Sequence, residues 1–173
     1  HLQGPKISII VPLYNTPAKL FDEMLQSVVR QTYTNWELVL VDASDADKRL
    51  EHRLPKAVPG TIVYEPIENG GIALNTTRGF ALAHGEYITL LDHDDVLYPN
   101  ALFEVVQTIQ NTGADFVYSD EIVLSADLKE LGGYHFKPDF APDYLRGVNF
   151  ITHLAVFSRP LLDAAGAYES KEF

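Results

Sequence analysis

The sequence predicts an α/β domain built on a mostly parallel sheet, and three observations predict it. Short apolar runs rich in β-branched residues recur at 6–14, 36–42, 61–64, 87–92 and 115–119. Segments with apolar residues at helical spacing separate them, which is the pattern of strands joined by helical crossovers. Three of the runs end at or just before an acid: Asp42, Asp92 and Asp120. Ligands of open parallel sheets gather at the carboxyl ends of the strands, so this coincidence marks the region of a site.

Lys6 to Tyr14 is apolar almost without interruption, as expected of a strand covered on both faces. Thr16 and Pro17 are the residue types favoured at a helix N-cap and first helical position. Leu20, Phe21, Met24, Leu25 and Val28 then recur at helical spacing, which predicts a helix over 17–31. Trp36 to Asp42 is a second buried strand. Residues 45–54 are charged and read as a short surface helix, 55–60 as a loop and 61–64 as a third strand. Glu68-Asn-Gly-Gly71 is a turn. Residues 72–84 read as a helix packing through Ala73, Leu74, Phe80, Ala81 and Leu82, with Gly85 as its C-cap. After the strand that ends at Asp92, a helix starts near Pro99 and Asn100, runs to Gln110 and stops at Gly113. A fifth strand covers 115–119.

From Asp120 the rhythm changes. Residues 121–124 and 134–136 are expected to pair as a hairpin around Gly132-Gly133. A rigid loop over 137–143 leads into a short helix near 144–146. A last strand spans 153–157, and Arg159-Pro160 opens a short helix that ends by Gly166. Residues 1–5 read as a flexible lead-in, and 6–173 as one domain truncated at its C-terminal end.

Composition narrows the partners. With 173 residues and 46% hydrophobic content, the chain supports one domain with a sizeable core. A net charge of −11 disfavours nucleic acid and anionic membrane surfaces, which demand basic protein. The absence of cysteine excludes disulfides, thiolate zinc sites and thiol catalysis. No apolar run reaches the length of a membrane span, and no signal peptide is visible.

The chemistry concentrates in Tyr87-Ile-Thr-Leu-Leu-Asp92-His93-Asp94-Asp95. Carboxylates beside a buried strand are costly unless something cationic meets them. Asp92 and Asp94, at i and i+2 where the chain turns, can reach one ion, and oxygen ligands suit a hard cation such as Mg2+ or Mn2+. The plain alternative is a solvated turn, with Asp95 as a cap at its end. Asp92-His-Asp94 also fits a haloacid-dehalogenase-like phosphohydrolase, in which Asp92 would be the nucleophile. That pattern belongs on a first strand, whereas several strands precede it here. A calcium-binding loop is excluded because Leu97 and Phe103 stand where Gly and Glu are needed. No G-x-G-x-x-G comes after the first strand, which disfavours a dinucleotide fold.

An ordered set of motifs resembles the family 2 glycosyltransferases of GT-A fold, particularly bacterial polysaccharide enzymes. The pieces are Ile7-Ser-Ile-Ile-Val-Pro-Leu-Tyr-Asn15, Gln31-Thr-Tyr-Thr-Asn-Trp-Glu-Leu38, Glu68-Asn-Gly-Gly-Ile72, Gly85-Glu-Tyr-Ile88, Leu91-Asp-His-Asp-Asp95, Tyr118-Ser-Asp-Glu121 and Phe136-Lys-Pro-Asp139. The resemblance implies inverting transfer of a sugar from a nucleotide diphosphate donor to a glycan or glycolipid hydroxyl. It implies a divalent cation, Mn2+ or Mg2+, held by Asp92 and Asp94 as the D-x-D pair. It implies that Asp42 meets the nucleotide base, favouring a UDP-sugar, and that Pro12, Tyr14 and Asn15 line the same pocket. Asn75, Arg78 and His93 are further donor-side candidates, and Asp120, Glu121 and His153 acceptor-side ones. Lys137 reads as structural.

Two departures stand out. The family often carries Asp-Asp after the second strand, where this chain has Asp42-Ala43. The family's general base lies past a Gly-Ala-Tyr turn, here Gly166-Ala167-Tyr168, and is expected beyond Phe173, which predicts a piece that binds donor and transfers poorly. A donor-binding module without catalysis is the corresponding alternative. Sugar-nucleotide chemistry without an export signal points to the cytoplasm, with any membrane association supplied by regions outside this chain.

Overall fold

A computed structural model describes residues 2–125 and 127–166. Strands β1 (Ile7–Leu13), β2 (Trp36–Asp42), β3 (Thr61–Pro66) and β4 (Tyr87–Leu90) alternate with helices α1 (Ala18–Val29) and α2 (Ile72–Leu82) and, between β2 and β3, two single 3-10 turns at 46–48 and 51–53. Next come α3 (Ala101–Thr112), β5 (Phe116–Tyr118), the hairpin β6 (Glu121–Leu124) and β7 (Leu131–His135), α4 (Pro142–Leu145), β8 (Ala155–Ser158) and α5 (Arg159–Ala165). Six strands form one sheet in the order β3-β2-β1-β4-β8-β5, and β6-β7 stand apart as a two-stranded ribbon. The pairs β3-β2, β2-β1 and β1-β4 are parallel, whereas β8 is antiparallel to both β4 and β5. Among the described residues, no helix is long and apolar enough to cross a membrane.

The core is built from the continuous apolar runs. All seven residues of β2 are buried, as are six of the seven of β1. On one face they meet Phe21, Met24, Leu25 and Val28 of α1 with Leu102 and Val106 of α3, and on the other Phe80 of α2. Apolar burial of this kind contributes about 25 cal/mol per Å2 removed from water. Gly85 lets the chain entering β4 pass against β1. A Cβ there would sit 2.6 Å from the Ser8 nitrogen and 2.8 Å from the Lys6 carbonyl oxygen, both backbone atoms that cannot yield.

Several sequence expectations are corrected. Residues 2–5 are not a loose lead-in: Leu2 packs on the core, Gln110 donates to the Gln3 carbonyl at 2.6 Å, and Tyr33 and Asn35 donate to the carbonyls of Pro5 and Gly4. Thr16 does not cap α1; Pro17 holds the N-cap position, and the Thr16 hydroxyl is buried without a partner. Residues 45–54 form separate 3-10 turns instead of a helix. The C-cap of α2 is Ala83, in extended conformation, because Gly85 is already committed to the approach to β1. The buried face of α2 carries Asn75, Thr76, Gly79 and Phe80, while Leu74 and Ala81 are exposed. Gly132 and Gly133 lie within β7, and the reversal comes before them, where Leu128 and Glu130 bond back to Ser125. Gly113 does terminate α3, in the left-handed conformation (φ 69°) that glycine adopts without strain.

Candidate functional site

The strand order reverses direction at β1. Chain going from β1 to β2 and β3 moves one way, and β4 lies on the other side. The crevice outside the carboxyl ends of β1 and β4 is therefore the switch point at which such sheets bind ligands. Tyr14 and Asn15 leave the end of β1 there, and Asp92 to Asp95 leave the end of β4. Because β8 is antiparallel to β4, it presents its beginning at the edge where β4 ends, with Thr89 opposite Val156. The residues just before β8, His153 included, are thus brought to the acids.

Asp92, Asp95 and His153 each offer a ligand atom within 4.8 Å of the others. His153 Nε2 lies 3.4 Å from Asp92 Oδ2 and 3.8 Å from Asp95 Oδ2. Burial, together with the charges of Asp92 and Asp94 and against the opposing pull of His153, holds the Asp95 carboxyl above its ordinary range. Asp94 and His93 are not in this group; Asp94 is exposed on the same turn, which is closed by the Asp95 N–H donating to the Asp92 carbonyl. The segment leading from this turn into α3 is anchored to α1. Leu97 N–H donates to Ser27 Oγ, the Gln31 amide donates to the Tyr98 carbonyl at 2.7 Å, and its oxygen accepts from Leu102 N–H at the start of α3.

The donor-side candidates divide. Tyr14 is 53% exposed. Asn15, with φ 48°, is locked to the end of β2: its N–H donates to Ser44 Oγ, its amide reaches Asp45 Oδ2, and Asp45 N–H donates back to it. Pro12 sits inside β1 opposite Val41. Asp42 is 1% exposed, and both its oxygens are engaged, Oδ1 by Ser44 N–H at 2.9 Å and Oδ2 by Tyr64 hydroxyl at 2.5 Å. Burial, then the bond to Asp42, pushes the Tyr64 phenol far above its usual range. Both Asp42 oxygens therefore have partners inside the protein, which tie the end of β2 to β3. Asn75 is buried and closes the 69–71 loop, donating to Asn69 Oδ1 and accepting from Gly70 N–H. Arg78 pairs with Glu65 at 2.8 Å on the β3 side of the sheet, away from the acids. Asp42, Asn75 and Arg78 thus each have a partner within the protein.

On the other side, Asp120 accepts the Lys137 N–H at 2.7 Å. Glu121 accepts from Thr152 Oγ1 at 3.1 Å and lies 2.7 Å from His135 Nδ1. Burial alone would raise Glu121, but the His135 bond, the Lys137 charge and Thr152 together bring it below its ordinary range. Lys137, expected to be structural, is buried beside it and reaches the carbonyls of Ile151 and His153. Burial draws its ammonium below the usual lysine range, with Glu121 opposing. Sequence reasoning did not connect Lys137, Thr152 or Gln31 with the site; the one signal was that Gln31 and Lys137 each sit inside a motif. The Ala167-Tyr168 turn and the general base expected past Phe173 lie outside the described residues.

A parallel core sheet with an antiparallel strand inserted beyond β4, and acids at the switch point, defines a GT-A class of domain, and solved structures agree. PcManGT, a mannosyltransferase from Pyrobaculum calidifontis in complex with GDP-Man and Mn2+, superposes with TM-score 0.64 at 23% identity, over 95% of this chain and 48% of that one. TarS 1–349 of S. aureus in complex with UDP-GlcNAc does so with TM-score 0.57 at 26% identity, over 65% of this chain and 33% of that one. The O-antigen biosynthesis protein RfbC of Myxococcus xanthus is 32% identical over 166 residues, which are 94% of this chain and 13% of RfbC. The family model described as glycosyl transferase family 2 matches residues 8–162, from β1 into α5, and the chain belongs to that family. Membership sets aside the phosphohydrolase reading of Asp92. The chain spans only a small part of the curated relatives it matches, 18% of one from Sinorhizobium fredii and 13% of RfbC.

Proposed function

We propose that this domain binds a nucleotide diphosphate sugar, of the UDP class, and serves inverting transfer of the sugar to a hydroxyl of a glycan or glycolipid. The observation that carries the reading is the convergence of Asp92, Asp95 and His153 at the end of β4, in a chain of glycosyl transferase family 2. Two carboxylates and an imidazole form a donor set suited to Mn2+, and the oxygens alone to Mg2+. A divalent cation held there supplies charge neutralisation for the departing diphosphate. Asp92 and Asp95 provide the negative charge, His153 faces both, and Asp94 is the further ligand expected on the same turn. Tyr14 and Asn15 flank the crevice on the β1 side, where the nucleotide would lie. TarS, solved with UDP-GlcNAc, supports a UDP donor, and the role named for RfbC supports a polysaccharide acceptor.

Calorimetry with UDP, with and without Mn2+, tests the reading. UDP binding should require Mn2+, disappear in Asp92→Ala, and weaken by about tenfold or more in Asp95→Ala and His153→Ala. The Asp94→Ala variant decides whether that residue joins the shell. UDP binding that ignores Mn2+, or that survives Asp92→Ala unchanged, would refute the assignment.

A further inference from the structure

We infer that Lys137 is a positioning residue whose buried ammonium fixes the backbone of 151–153 so that the His153 imidazole faces Asp92 and Asp95. Its functional consequence rests on the metal-site reading of the proposed function; its geometry does not. The Lys137 side chain is 3% exposed, which is rare for lysine unless the charge is paired. An ammonium has three donors, and three acceptors surround this one. The Ile151 carbonyl oxygen is at 2.6 Å, the His153 carbonyl oxygen is also bonded, and a Glu121 carboxylate oxygen is at 3.6 Å.

Glu121 completes the clamp from the side-chain direction, accepting the Thr152 hydroxyl at 3.1 and 3.2 Å. Thr152 has φ 35°. A β-branched residue resists that region, so surrounding contacts must hold it there. Lys137 and Glu121 supply those contacts on either side of it. From the segment so held, His153 points Nε2 at both acids. Among the described residues Lys137 has no ion pair with Asp92 or Asp95; its main route to the site is through His153, beside the charge of its partner Glu121, which also acts on Asp95.

A double-mutant cycle distinguishes this role from a merely structural one. Mn2+ alone is titrated, with free Mn2+ read by electron paramagnetic resonance, into wild type, Lys137→Met, His153→Ala and the combined variant. Lys137→Met should weaken Mn2+ by about tenfold, His153→Ala by at least as much, and the combination no further than His153→Ala alone. Losses that multiply in the combined variant, or no loss in Lys137→Met, overturn the inference. If Lys137→Met does not fold because Glu121 loses its buried cation, Lys137→Met/Glu121→Gln takes its place with the same expectations. A wild type that takes up no Mn2+ overturns the metal reading instead. The clamp is then judged by hydrogen exchange at the Ile151 and Leu154 amides, which Lys137→Met must accelerate while β1 amides stay protected; unchanged exchange overturns the clamp.

Discussion

Two regions that meet at the switch point are held by different forces. On the β1-β2 side the strands are sealed mainly by apolar side chains on both faces, and the polar groups at their ends tie neighbouring strands and loops together, as Asn15 to Asp45, Tyr64 to Asp42 and Ser8 to Glu37. On the β8 side the residues near the site are polar and partly exposed, and order comes from directed contacts of Lys137, Glu121 and Thr152. Apolar burial is non-directional and fixes where a strand lies. Hydrogen bonds to a buried charge fix which way a loop faces. The half of the crevice that needs an aimed imidazole uses the second kind.

The contrast can be tested by substitution on each side. The largest effect is expected in the sealed half: Leu38→Ala, at a fully buried position of β2, should lower stability by about 2–5 kcal/mol in urea unfolding while Mn2+ uptake by the folded protein is retained. A smaller loss, of about 1–3 kcal/mol, is expected for Tyr64→Phe, which leaves Asp42 Oδ2 without its donor. UDP affinity should not change in that variant; a gain in affinity would return Asp42 to the ligand side.

The smallest effect is expected at the acids themselves, in metal-free protein. Asp95 has its folded-state pKa raised above 3.8, chiefly by burial. A raised carboxyl means that ionisation opposes the fold, so Asp95 subtracts stability as pH rises from its unfolded value through its folded one. Asp95→Asn should then raise the melting temperature at pH 7 by about 1 °C, modest because the group is partly solvated, with the gain vanishing in acid below the unfolded pKa. A loss of stability at pH 7 would mean that Asp95 is held as a favourable ion pair with His153 and not strained by its neighbours.

The parallel half was legible because periodicity reports burial. Trp36–Asp42 is observed with the bounds its apolar run predicts, and β1 differs by one residue at each end. The acids at strand ends were legible as well, since Asp92 can only emerge where β4 stops. Roles inside the site were less so. Asp42, Asn75 and Arg78 are polar residues near a predicted site, and nothing in a sequence separates a side chain with a partner inside the protein from one that faces a ligand. Gly132-Gly133 resembled a turn because glycine is common there, yet it lies in a strand next to an irregularity in register at Val123 and Leu124.

The sequence by itself determined the α/β class, the run of parallel strands, the family and the place where carboxylates collect, because each is written in local pattern. Tertiary structure decided which of those groups meet. The antiparallel insertion of β8 between β4 and β5 brings His153 to Asp92 and Asp95 across about sixty residues of chain. The buried Lys137 that aims the segment has partners set by long-range packing alone, which no spacing along the chain records.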